Sequence, residues 1–286
     1  MLAHLRPSIA GRGASAPLGY APPGAAPIRA LGRLQRPADP DSMLSGTRRF
    51  ATLALALLAL GAGPRSGFET MTPELQAMQR DDFANPGMLW VAEGEALFRR
   101  QGCTGCHTPA QMVGVAARYP VFDAGRDGPI DLAGRIAQCR EQRQGAVPLP
   151  AEGSEMLALT AYVANQSRGM PLAPDPDPRL DPARRQGEAL FRERRGQLNL
   201  SCAQCHDDNA GRRLAGSAIP EGHANGYPLY RLEWQGLGSL QRRLRNCLVG
   251  VRSEPFSPDA PEYLALETYL ATRARGLVVE TPAIRP

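Results

Sequence analysis

Two short runs in this chain, CTGCH at residues 103–107 and CAQCH at 202–206, set two thiols and an imidazole at one fixed spacing. Cys-x-x-Cys-His is the pattern by which haem c is attached. The thiols add across two vinyl groups whose separation matches this spacing on a helical segment, and the histidine lies under the iron as proximal ligand. A redox dithiol needs no adjacent histidine, and zinc needs more paired ligands than either run offers. The pattern predicts two covalently bound haem c groups. Cys103 and Cys106 hold the first, with His107 as ligand; Cys202 and Cys205 hold the second, with His206.

Each iron needs a sixth ligand. Methionine is the usual one in electron carriers, but the last methionine of the chain is Met170, ahead of the second motif. His4 lies near the N-terminus, which leaves His223 as the one uncommitted histidine. Cys139 and Cys247 remain, 32 and 41 residues after their respective histidines. Thiolate ligation of both irons explains why each copy keeps one further cysteine. The competing reading is a Cys139–Cys247 disulfide between equivalent positions of two related domains. Arg135 and Arg243 each precede one of these cysteines by four residues, a spacing that puts both side chains on one helix face. A nearby guanidinium favours the thiolate and can hold an oxyanion. A solvated arginine on a basic helix fits the same spacing equally well.

The elements that position these groups occur twice. GEALF stands at 94–98 and again at 187–191; LAGRIAQC (132–139) is answered by LQRRLRNC (240–247), and EMLALTAYVANQSRG (155–169) by EYLALETYLATRARG (262–276). Three blocks in the same order mark an internal duplication of a unit of about 75–90 residues. Leu157, Leu159, Tyr162 and Val163 fit a buried helical stripe, as do Leu264, Leu266, Tyr269 and Leu270. No alternating strand pattern competes. The expected fold is mainly α, with two tandem cytochrome c-like haem domains at 67–169 and 187–286 and a Pro-rich linker at 170–186. Domains this small struggle to build a core unaided, and a large apolar cofactor remedies that.

Net charge is +5, yet it says little about partners. Eight of the 33 basic residues and two of the 28 acidic ones fall within 1–66, so the remainder is close to neutral and no nucleic-acid partner is expected. Arg48 and Arg49 precede FATLALALLALGAG (50–63), a signal-peptide pattern with cleavage expected near 61–67. Met43 is where such a peptide would start, with 1–42 an upstream extension. The apolar run falls short of the roughly 20 residues a membrane span requires, so the mature protein is expected to be soluble and periplasmic.

CAQCHDDNAGRRLAG, then IPEGHANGYPLYRLEWQGLGSLQRRLRNC, then the terminal ETPAIRP, together resemble the SoxA family. Its members are dihaem subunits of the SoxAX cytochrome in the periplasmic sulfur-oxidising system. The resemblance runs from about residue 70 to the end and is densest over 187–286. It implies an L-cysteine S-thiosulfotransferase that couples thiosulfate oxidatively to a cysteine of the SoxY carrier. It further implies Cys247 as a catalytic, persulfide-bearing distal ligand, Arg243 as the substrate-binding residue and Cys139 as distal ligand of the first haem. The implied partners are a SoxX-type monohaem cytochrome c, the SoxY–SoxZ carrier and a soluble cytochrome c acceptor. The contrasting reading, a dihaem electron-transfer protein without sulfur chemistry, calls for Met or His distal ligands. Smaller expectations concern His223 as a loop histidine at the haem edge, Met112 as pocket packing and Trp234 against the second haem.

Overall fold

The phrase GEALF recurs because of how two helices cross. In the computed structural model, which describes residues 63–286, α1 (Pro73–Arg80) leads into α2 (Gly87–Arg100). Then come a hairpin of β1 (Val121–Asp123) and β2 (Gly128–Ile130), α3 (Leu132–Gln144) and α4 (Ser154–Asn165). A Cβ on Gly94 of α2 would stand 2.0 Å from the Ala158 carbonyl oxygen of α4. Glycine alone lets the two backbones touch there. Four residues on, Phe98 packs against Tyr162 at 5.3 Å between ring centroids.

The second copy repeats this crossing with α5 (Asp181–Arg192) and α8 (Pro261–Arg273). A Cβ on Gly187 would lie 2.0 Å from Ala265 O, and Phe191 meets Tyr269 at 5.5 Å. Between these helices lie α6 (Cys202–His206), a small hairpin of β3 (Arg213–Leu214) and β4 (Ser217–Ala218), a second hairpin of β5 (Leu229–Arg231) and β6 (Gly236–Gly238), and α7 (Leu240–Gly250). Helix α7 carries Cys247 as α3 carries Cys139. Both helices are capped from their hairpin: Asp131 Oδ1 accepts from Gly134 N at 2.7 Å, and Ser239 Oγ from Arg242 N at 3.1 Å.

The few strands are ones that no alternating pattern in the sequence marks. Each spans two or three residues, too few for period-two alternation to register in the sequence. Their role is local, turning the chain back so that α3 and α7 face the attachment motifs. The Pro-rich segment also differs from a free linker. Leu172 N donates to Leu277 O and Val279 N to Met170 O, which ties the segment to the chain after α8. Helix α5 already starts at Asp181, where Pro182 in the first turn suits a helix start, so the linker expected to reach 186 stops at 180.

The terminal ETPAIRP locks the two copies together. Strand β7 (Ile284–Arg285) runs parallel to β5. The buried Glu280 carboxylate accepts from Ser66 Oγ, from Asn225 Nδ2 at 3.1 Å and from Arg285 Nη2 at 2.7 Å, while Gln79 Oε1 of α1 accepts from Ile284 N at 2.9 Å. Residues before 63, including most of the expected extension and signal peptide, lie outside the described residues. Among the described residues no helix is long and apolar enough to cross a membrane.

A second carboxyl, Glu267, is buried where the copies meet. Burial pushes its pKa well above the ordinary range, and the negative charge of Asp131 adds to the shift. A carboxyl raised on folding keeps its proton in the native state. Its contribution is complete below about pH 4.3, the unfolded value, and is lost as pH rises through the raised folded value. Thermal unfolding from pH 5 to 9 should therefore show a midpoint that falls with pH in the wild type. Glu267→Gln should flatten that slope; an unchanged slope would remove Glu267 from the account.

Candidate haem pockets

In the first copy, Gly102 at φ 76° turns the chain out of α2 into a 3-10 turn at Cys103–Gly105, and His107 follows. Helix α3 lies opposite. Between them is a cavity of about 1350 Å³, larger than the roughly 300–1,000 Å³ of an ordinary small-molecule site. Cys103, Cys106, His107 and Cys139 all line it, with Met112, Val115, Ile136, Leu159 and Val163 as apolar walls. Two thiols, an imidazole and a facing thiol around one apolar space are what a covalently attached haem requires, so the residues fit the group. Burial raises the Cys103 pKa, and the nearby Cys139 adds to it.

The second site is built more tightly. A reciprocal cap between Ser201 and Gln204 starts α6, so CAQCH is helical throughout. Nδ1 of His206 donates to the Pro220 carbonyl at 2.8 Å. That bond fixes the tautomer and leaves Nε2 free to coordinate a metal. Gly222, at φ 76°, closes over the ring: a Cβ there would come within 2.9 Å of His206 Cγ. Burial pushes the Cys202 thiol up to about 11, with the neighbouring Cys247 contributing. Cys247 shifts the other way. Burial raises its pKa, but the adjacent His206 imidazole and the positive charges of Arg243 and Arg231 outweigh that and leave it below its ordinary value.

Cys139 and Cys247 are not paired with each other, so the disulfide between the copies is not formed. Each of these two instead faces the motif of its own copy. The sequence-predicted residues thus fall into two groups: Cys103, Cys106, His107 and Cys139 around the first-copy cavity, and Cys202, Cys205, His206, Arg243 and Cys247 as neighbours in the second copy.

Four further residues shape the second site without having been singled out from the sequence. Pro220 and Gly222 orient His206, while Tyr227 and Arg231 stand beside Arg243 and Cys247. Burial pushes the Tyr227 hydroxyl up to about 12. The signal that finds Tyr227 and Arg231 is a gap-free superposition of 119–139 on 227–247. Of the smaller expectations, Met112 lines the first cavity. His223 sits in a loop, its Nε2 3.1 Å from Glu221, and burial lowers its pKa. Trp234 lies beneath the guanidiniums of Arg242 and Arg231, at 4.6 and 5.2 Å from the ring centroid.

The family model described as SoxA/TsdA, cytochrome c domain, matches residues 91–172 and again 186–279, one match per copy. The chain belongs to the SoxA/TsdA cytochrome c family. It is 37% identical over 229 residues to the L-cysteine S-thiosulfotransferase subunit SoxA of Pseudaminobacter salicylatoxidans, covering 77% of this chain and 80% of that one. The protein of the same name from Rhodovulum sulfidophilum is 36% identical over 231 residues, again covering 77% and 80%. The crystal structure of SoxXA from P. pantotrophus matches with a TM-score of 0.75 at 30% identity, over 78% of this chain and 87% of that one. The mainly helical architecture of two cytochrome c-like copies is therefore that of SoxA, and covalently bound haem c goes with it.

Proposed function

We propose that this SoxA-family chain is the haem-bearing catalytic subunit that oxidatively couples thiosulfate to a cysteine of a SoxY–SoxZ carrier in the periplasm. A SoxX-type monohaem cytochrome is its partner, and a soluble cytochrome c takes the electrons. The observation that carries the reading is the convergence of Cys247, His206 and Arg243 in the second copy. The names of the relatives support it.

Two haem c groups are assigned. Cys103 and Cys106 would hold the first, with His107 and Cys139 as its iron-binding residues; Cys202 and Cys205 would hold the second, with His206 and Cys247. When bound, haem supplies one-electron acceptor centres for the two electrons that the coupling releases. Arg243 grips the sulfonate oxygens of thiosulfate and points the sulfane sulfur toward Cys247. The lowered pKa of Cys247 keeps a larger share of its sulfur as thiolate. With Cys247 carrying a persulfide at rest, its terminal sulfur joins the sulfane sulfur of thiosulfate with loss of two electrons, and the carrier thiolate then attacks that sulfane sulfur, breaking the new bond and returning the persulfide unchanged. Overall, a carrier thiol and thiosulfate form one S–S bond and lose one proton and two electrons.

The test is direct. The haem-loaded protein with its partner cytochrome, carrier, thiosulfate and excess ferric cytochrome c should yield a thiosulfate-sized mass gain on the carrier cysteine. Cytochrome reduction should accompany it at two electrons per adduct. Reduction without an adduct would refute the assignment.

A further inference from the structure

The two copies run residue for residue from Tyr119 to Cys139 and from Tyr227 to Cys247. Both segments form a hairpin with a non-glycine residue at positive φ, Asp127 (51°) and Gln235 (48°), followed by a capped helix bearing arginine and then cysteine one turn later. At the end of the first strand the register exchanges one charge for its opposite: Asp123 in the first copy, Arg231 in the second.

The consequence for the helix arginine is large. In the first copy, Arg135 Nη1 lies 2.8 Å from the buried Asp123 Oδ2 and also reaches Gln138. That guanidinium is neutralised by a buried carboxylate, with Nη1 taken by both partners. In the second copy, Arg243 makes no ion pair among the described residues, and its neighbour across the hairpin is a second guanidinium. Arg231 is mostly buried, with 15% of its side chain exposed, and its Nε is buried without a partner. Its one ion pair among the described residues is to Glu233, 2.9 Å away on a side chain that is 63% exposed, a contact of the weak surface kind. The Trp234 ring beneath it holds the guanidinium in place. Burial and the charge of Arg243 both lower the Arg231 pKa.

We infer that Arg231 is a substrate-positioning residue, which forms with Arg243 a two-guanidinium cradle for a dianionic sulfur oxyanion and confines the chemistry to the second copy. This rests on the functional reading above and deepens it. Two guanidiniums match the double charge of thiosulfate. Once the sulfane sulfur is joined to the carrier cysteine, the group keeps one negative charge, so the cradle holds substrate more tightly than product. Asp123 makes the first copy deaf to the same anion by filling its arginine.

The experiment uses the haem-loaded complex with carrier and compares wild type with Arg231→Gln, Arg231→Lys and Arg231→Asp. Losing one charge-assisted contact should raise the thiosulfate KM about 10- to 100-fold in Arg231→Gln, with kcat within about threefold. Inhibition by sulfate should weaken in parallel. Arg231→Lys should recover part of the loss, and Arg231→Asp should be the weakest because it recreates the first-copy ion pair. A carrier-free readout runs beside this: thiosulfate titrated against the low-temperature EPR spectrum, where affinities should fall in the same order. A wild-type KM in Arg231→Gln and Arg231→Asp, or a Lys variant as weak as Gln, would overturn the inference by showing packing or nothing at work. A wild-type complex that neither binds nor turns over thiosulfate would sink the functional reading instead.

Discussion

Cys247→Ala should abolish thiosulfate-dependent labelling of the carrier cysteine, lowering the rate by at least about 10³-fold, while the covalent haem content stays at the wild-type level. The two effects separate because different cysteines are involved. Attachment in the second copy is proposed at Cys202 and Cys205 on α6, whereas Cys247 sits on α7, across from His206. Alanine at 247 removes the only thiol on that side of the site and leaves the Pro220–His206 hydrogen bond untouched. Pigment quantified by absorbance and the carrier adduct by intact mass are the two measurements. Undiminished labelling would move the sulfur chemistry to another residue. Cys139→Ala is the matched comparison: it removes the equivalent thiol beside a neutralised arginine and should leave most of the transfer rate intact.

The largest stability effect is expected at a residue with no side chain. Gly187→Ala puts a methyl group 2.0 Å from Ala265 O and 2.7 Å from Tyr269 Cβ. Neither can yield alone, since one is helix backbone and the other anchors the Phe191–Tyr269 pair. The α5–α8 crossing must open. Overpacking of this kind ordinarily costs about 1–3 kcal/mol, and a clash with backbone belongs at or above the top of that range. It outweighs the gain of about 1 kcal/mol that alanine brings to a helix. At about 2–4 °C per kcal/mol for a protein of this size, the net loss of about 2 kcal/mol or more should lower the unfolding midpoint by at least about 4–8 °C. Gly94→Ala meets the same geometry at Ala158 O and should behave alike. Midpoints within about 2 °C of wild type in both variants would show that the crossing is softer than its distances imply.

Much of this was readable from spacing. The attachment motifs are local chemistry, and a four-residue offset on a helix is a local distance, so Arg243 and Cys247 could be placed on one face of α7 from sequence alone. The duplication showed itself because each copy must solve the same packing problem: GEALF returns since only glycine fits where the helices touch. The same reasoning left open whether Cys139 and Cys247 bond to each other or face their own motifs. Two cysteines 108 positions apart carry no record of where their helices point. Folding separated them, each turned by its hairpin toward its own histidine.

The hairpins themselves were invisible, because three-residue strands are too short to leave a period. With them went Asp123 and Arg231, whose meaning lies in the arginine they face across a turn. Pro220 and Gly222 likewise gain their role from lying against His206, 14 and 16 residues earlier in the chain. Covalent bonds and helical pitch are written along the chain, and so the kind of chemistry could be read there. Which arginine stays free to meet an anion depends on charges that come together through folding, and in the proposed reading that sets where in the molecule the chemistry takes place.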